Sequence, residues 1–166
     1  MKKLIILMVA VGFAIVGCDT KKKDLTAKYK DLMKQCDSVE TVHEKFVEVH
    51  NEMADEHKKF TQELQGMELQ DSTILADVAK HGVILKRHDA IIASHEKLIE
   101  GHESLEDNFE NLTEPEMEAE INQIKKDFDK IHSEHTSMED EHDMMMEEHE
   151  AMMQKIAAKE GEMEEE

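Results

Sequence analysis

Tryptophan is absent from the 166 residues, proline occurs once, cysteine twice and glycine six times. Only 4% of the chain is aromatic. That is too little for a β-sandwich or a large enzyme core, both of which lean on aromatic and β-branched residues. Two cysteines cannot make a disulfide framework. Basic residues are also short, with 20 Lys+Arg against 40 Asp+Glu and a net charge of −20. Such a chain repels nucleic acid, whose phosphates need Lys and Arg, and gains nothing electrostatically from anionic lipid. There is no HExxH, no Gly-rich phosphate loop and no nucleophile with a base, so no enzyme is expected. The surplus lies in 11 His and 13 Met.

Lys2 and Lys3 precede a wholly apolar run from Leu4 to Gly17. Fourteen residues at 1.5 Å each span about 21 Å, short of the roughly 30 Å hydrocarbon core, so the run reads as a signal-peptide segment rather than a spanning helix. It ends Ile15-Val16-Gly17-Cys18, which resembles the lipobox of bacterial lipoproteins. The resemblance implies cleavage after Gly17, acylation of Cys18 and export to the cell envelope, on the periplasmic or outer-membrane face. Acyl chains on Cys18 would anchor the protein, several chains holding where one is marginal. Asp19 resembles an inner-membrane retention signal of enteric bacteria, a rule other phyla do not share, so the choice of membrane stays open. Beyond the lipobox the chain resembles small His/Met-rich helical exported lipoproteins, a likeness that brings no function with it.

Residues 18–24 read as the lipidated Cys and a polar tether. From Leu25 on, Glu, Lys, Leu, Met and Ala dominate, all good helix formers. The breakers are few and therefore informative. Gly66 to Ser72 marks one turn, with Asp71 or Ser72 able to cap the next helix. Asn111 to Glu116 marks the other, where Thr113 and Glu116 match a capping box and Pro115 sits in the first turn. These predict helices over about 25–65, 72–111 and 114–160, followed by a frayed acidic tail over 161–166. The fold class is all-α: an elongated antiparallel three-helix bundle, the alternative being one long coiled coil or homotrimer.

Ten histidines fall on heptad spacing: His43, His50 and His57; His81, His88, His95 and His102; His135, His142 and His149. Seven of them, His43, His50, His81, His88, His95, His142 and His149, lie between apolar residues three and four positions on, such as Ile91 and Ile92 after His88, or Met145 and Met146 after His142. A solvated face would not show this pattern, so these histidines belong on the helix–helix seam. Neighbours seven apart are about 10.5 Å apart along one helix, so any shared site must join helices. A first turn centred on residue 69 sets His57 against His81, His50 against His88, His43 against His95 and Cys36 against His102. For the third helix, a turn near 115 gives layers 57/81/149, 50/88/142 and 43/95/135. A turn near 111 or 112 gives 57/81/142 and 50/88/135, with Phe128 completing the third; the capping box favours this second register. His132, three residues before His135, is placed to chelate with it.

Three imidazoles from three helices make a tripod suited to Zn, Cu or Ni. Glu44, Asp89, Glu96, Glu103 and Glu150 are candidates to bond the outer ring nitrogens, mostly through water because several follow their His on the same helix. Met138, Met145 and Met152 would add thioethers and favour copper. The stretch His135–Met153 resembles Met/His-rich copper-handling segments of exported proteins. The competing reading is a polar seam that sets register in a spacer or partner-binding module, loosened by acid and open to a protein partner or homo-oligomer. Glu40-x-x-His43 and Glu139-x-x-His142 match ferritin-like spacing, but helix 2 supplies no counterpart, so that transfer fails. Gly82 and Gly101, each costing about 1 kcal/mol inside a helix, suggest a close helix approach.

Overall fold

Long runs of strong helix formers with almost no Gly or Pro leave the backbone little alternative to helix. The computed structural model describes residues 14–67 and 72–164, with side chains over 20–67 and 72–158. Three α-helices pack against one another: α1 (Ala14–Gly66), α2 (Ser72–Leu105) and α3 (Glu114–Glu164), with a 3₁₀ turn at Phe109–Asn111. There is no strand among the described residues, and no helix long and apolar enough to cross a membrane. The apolar leader up to residue 13, the side chain of Cys18, Asp71 and the last two residues of the tail lie outside the described residues.

Three boundaries differ from expectation. The polar stretch 18–24, expected as a tether, is helical and continuous with α1. Local bonds account for this: Thr26 Oγ1 donates to the Lys22 carbonyl, Lys28 pairs with Asp24 one turn back, and Lys21 reaches Glu118 of α3 at 2.9 Å. The end of α3 runs on through Gly161 to Glu164 instead of stopping at 160. In contrast, α2 stops at Leu105, six residues before the expected Asn111.

The helices contribute to two compact units, one holding residues up to Glu40 with Lys97–Lys130, the other holding Thr41–Glu96 with Ile131–Glu166. In the first, Leu25, Tyr29 and Leu32 of α1 pack with Phe109 and with Met117, Ile121 and Ile124 of α3. Beyond Leu105 the chain does not yet reverse. The 3₁₀ turn lays Phe109 on Tyr29, rings stacked at 3.9 Å and 12°, while the Tyr29 hydroxyl donates to the His102 carbonyl. Reversal comes at the capping box itself, where the Thr113 N–H and hydroxyl both donate to Glu116 Oε2, at 2.8 and 2.6 Å.

In the second unit α2 runs antiparallel to α1 and α3. Apolar clusters alternate with polar layers: Phe46, Ile92 and Met138; then Met53, Leu85 and Met145; then Phe60, Leu64, Ile74, Val78, Met152 and Ile156. This is heptad packing in which one core position of each repeat is apolar and the other is histidine.

Candidate metal centre

Nine histidines fill the polar layers, three to a layer: His43, His95 and His135; His50, His88 and His142; His57, His81 and His149. None is more than 9% exposed. This is the register with a turn centred near 115. The one favoured by the capping box is off by a heptad, because the chain continues beside α1 as far as Leu112 before it reverses. The seam placement and the α1–α2 pairing of His57 with His81, His50 with His88 and His43 with His95 are as the heptads predict.

The remaining candidates are not gathered into a layer. His132 is exposed on α3 and its ring is no part of the layer that holds His135. His102 lies in the first unit with Nε2 3.3 Å from Asp127 Oδ2 and its ring edge-on to Phe128. Cys36 is a buried free thiol, pushed up to about 11 first by burial and then by Glu103, and so is held as a neutral filler. Met138, Met145 and Met152 belong to the apolar clusters between and beyond the layers.

Inside each layer the ring nitrogens converge. His142 Nε2 stands 3.2 Å from His50 Nδ1 and 3.1 Å from His88 Nδ1. His149 Nε2 stands 3.2 Å from His57 Nδ1 and 3.1 Å from His81 Nδ1. His135 Nε2 is 3.0 Å from His43 Nδ1, with the His95 ring edge-on at a centroid distance of 5.1 Å. A tetrahedral zinc about 2.0–2.1 Å from each imidazole nitrogen sets those nitrogens about 3.3–3.4 Å apart, by simple geometry on the usual bond length. The layers are within a few tenths of an ångström of that spacing at these edges.

The same spacing also suits N–H···N hydrogen bonds, so proton accounting has to decide. His50 Nε2 lies 2.9 Å from Asp89 Oδ1, and His88 Nε2 lies 2.5 Å from Glu141 Oε2. An ionised carboxylate only accepts, so the hydrogen-bond network assigns the proton of each ring to Nε2 and turns the Nδ1 lone pairs inward. His142 Nε2 carries at most one proton to share between two lone pairs. In the first layer His95 Nε2 is bonded to Glu134 at 2.7 Å, which leaves His95 Nδ1 buried without a partner. In the third, His81 Nε2 is 2.5 Å from Glu148 Oε2. Neutral buried imidazoles with surplus inward lone pairs are what a cation needs, and burial supplies the neutrality. His135, His142 and His149 are each pushed down to about 4, first by burial and then by neighbouring histidines. These buried His triads between helices could hold a metal.

Glu134, Glu141 and Glu148 are not among the acids expected from the sequence, which directly follow their histidines. They precede the α3 histidines and reach across to α2. Their own seven-residue spacing was the available signal. Of the five acids expected around the layers, Glu44, Asp89, Glu96, Glu103 and Glu150, Asp89 is the one that directly bonds a layer imidazole among the described residues, and it does so across to α1. Glu141 also pairs with Arg87. Outer carboxylates of this kind typically change metal affinity 10–100-fold, so Glu141→Ala should weaken one ion of the set by about that factor. Competition with a chelator of known affinity measures the change; three unchanged affinities would deny the carboxylates any part in binding.

No protein family matches the chain, and no curated protein or solved structure is detectably similar to it.

Proposed function

We propose that the protein binds or buffers transition-metal ions, Zn, Cu or Ni, in its three interhelical His₃ layers. In this reading it is a lipid-anchored protein of the cell envelope, and the lipobox ending in Cys18 supports that part. The observation that carries the metal reading is the surplus of inward imidazole lone pairs, fixed at His50, His81, His88 and His95 by carboxylates on the outer nitrogens and exemplified by the orphaned His95 Nδ1. Three neutral imidazoles leave further coordination positions along the layer axis, next to Met145 or Met138, where a thioether fits copper better than zinc. In this reading the chemistry is binding and release of the ion by the imidazoles.

The other reading is a spacer or partner-binding module whose histidine layers only set register, and the hydrogen-bond-like N···N distances favour it. Titration separates the two. The chelator-treated full chain in detergent should take up three Zn²⁺ ions, one per layer. Each ion at a hundred times its dissociation constant adds about 2.7 kcal/mol to stability. No uptake and no change in melting would leave the spacer reading standing. Cell fractionation tests the anchor: Cys18→Ser should move the protein out of the membrane fraction, and unchanged partition would defeat lipidation.

A further inference from the structure

The three tripods take one histidine from each helix, and they differ at an outer edge. The outer Nε2 of each α1 histidine belongs to the side where α2 presents the residue after its own layer histidine. In the central layer that residue is Asp89, which bonds His50 Nε2 at 2.9 Å. In the layer of His43 it is Glu96, whose charge acts on the His43 ring. In the layer of His57 it is Gly82, which has no side chain to offer.

The glycine leaves a gap. A Cβ added at Gly82 would meet His57 Nε2 at 3.7 Å, with no other atom of a neighbouring element within 4 Å. Ordinary van der Waals contact at that distance means a methyl would fit, so packing does not demand glycine, and the close helix approach suggested by the sequence is not what Gly82 serves. Gly101 likewise meets nothing within 4 Å. Yet glycine inside a helix costs about 1 kcal/mol relative to alanine. Beside Gly82 lies a cavity of about 270 Å³ between α1 and α2, lined among others by His57, Thr61, Leu64, Val78 and Ala79. A water molecule takes about 30 Å³ of liquid volume, so several waters, or an ion with part of its hydration shell, fit there. Leu75 and Ala79 at its rim are exposed, and His57 is the most exposed of the nine layer histidines. The tripod therefore has one imidazole edge at the wall of a solvent-connected cavity, where the central tripod has a bonded carboxylate.

We infer that the His57–His81–His149 tripod is the exchange site of the protein, where metal ions enter and leave through the gap at Gly82, with His57 the first ligand met. The other two tripods are stores that exchange more slowly. This rests on the metal-binding reading above and adds a route to it. The low polarity of the remaining cavity wall favours passage over retention, since His57 is the one strong ligand lining it.

Release kinetics test the route. The full chain, loaded with Zn²⁺ alone, is mixed with excess chelator, and zinc release is followed by stopped flow with a zinc-sensitive dye. One ion of three should leave fast. Gly82→Leu should slow that phase about tenfold, equivalent to about 1.4 kcal/mol in barrier, without changing the total zinc bound. Ala79→Leu narrows the same cavity from one turn away and should act in the same sense, so the test survives if Gly82→Leu fails to fold. Gly101→Leu, on the same helix but away from the cavity, should leave every phase alone. His149→Leu should abolish the fast phase and His135→Leu should not. A fast phase that is untouched by both cavity-filling variants, or that vanishes with His135→Leu instead, overturns the route while metal binding stands. A wild-type chain that binds no zinc overturns both.

Discussion

The triple variant His50→Leu, His88→Leu, His142→Leu should be more stable than the parent in the absence of metal, and should bind one ion fewer. The layer it replaces lies between Phe46, Ile92 and Met138 on one side and Met53, Leu85 and Met145 on the other. Leucines there extend an apolar core and remove buried polar atoms whose bonds do not balance. Replacing a buried polar or ionic set by apolar residues of similar size is worth about 1–4 kcal/mol in comparable cases. For a chain of this length each kcal/mol moves the melting temperature by roughly 2–4 °C. Asp89 and Glu141 lose their imidazole partners but stay hydrated, with side chains 68% and 29% exposed. The single variant His142→Leu should go the other way. It removes the one proton that the inward nitrogens of His50 and His88 share and leaves both buried without a donor, at a cost of about 1–3 kcal/mol for the bond lost. Thermal melts with and without chelator measure both signs. A triple variant less stable than the metal-free parent would mean that the layers hold the bundle together by their own hydrogen bonds.

Acid should unfold the metal-free protein between about pH 6.5 and 4. His135, His142 and His149 are pushed from 6.5 down to about 4, and His43, His57 and His88 are lowered as well, in each case first by burial. A group whose folded value lies below its unfolded value takes up protons on unfolding, so stability rises with pH. The contribution is complete above about 6.5 and is lost as pH falls towards 4. Each unit is worth about 1.4 kcal/mol, so the three α3 histidines together are worth several kcal/mol, a large share of the 5–15 kcal/mol typical of a domain. Bound metal should move the transition to lower pH, because protons must then displace the ion. The triple leucine variant, with one layer fewer to protonate, should respond less steeply. Helical circular dichroism against pH, in chelator, reads the curve; equal stability at pH 5 and pH 8 would contradict buried neutral imidazoles.

The seam was legible because it is periodic. Seven-residue spacing flanked by apolar residues on both sides fixes a histidine's face, whatever it meets there. Pairing between α1 and α2 followed from the short turn after Gly66. The α3 register did not follow in the same way. A capping box says where a helix starts but not how far the preceding chain travels before turning back, and Phe109 stacking on Tyr29 is a tertiary preference with no local signature. Outer-nitrogen partners were hidden for a related reason. Whether Glu141 serves its own helix or reaches His88 depends on which helix lies beside it, and only the packed bundle decides that. Gly82 stood out as a costly residue, but its meaning needed the empty space next to it.

The chain holds one tyrosine and no tryptophan, and that tyrosine is stacked on Phe109 in the first unit, whereas the three histidine tripods among the described residues lie in the second. Ultraviolet emission from the protein is therefore a reporter of one half of the molecule only. Comparing it with a whole-chain signal during denaturation would show directly whether the two units melt in a single step or one after the other.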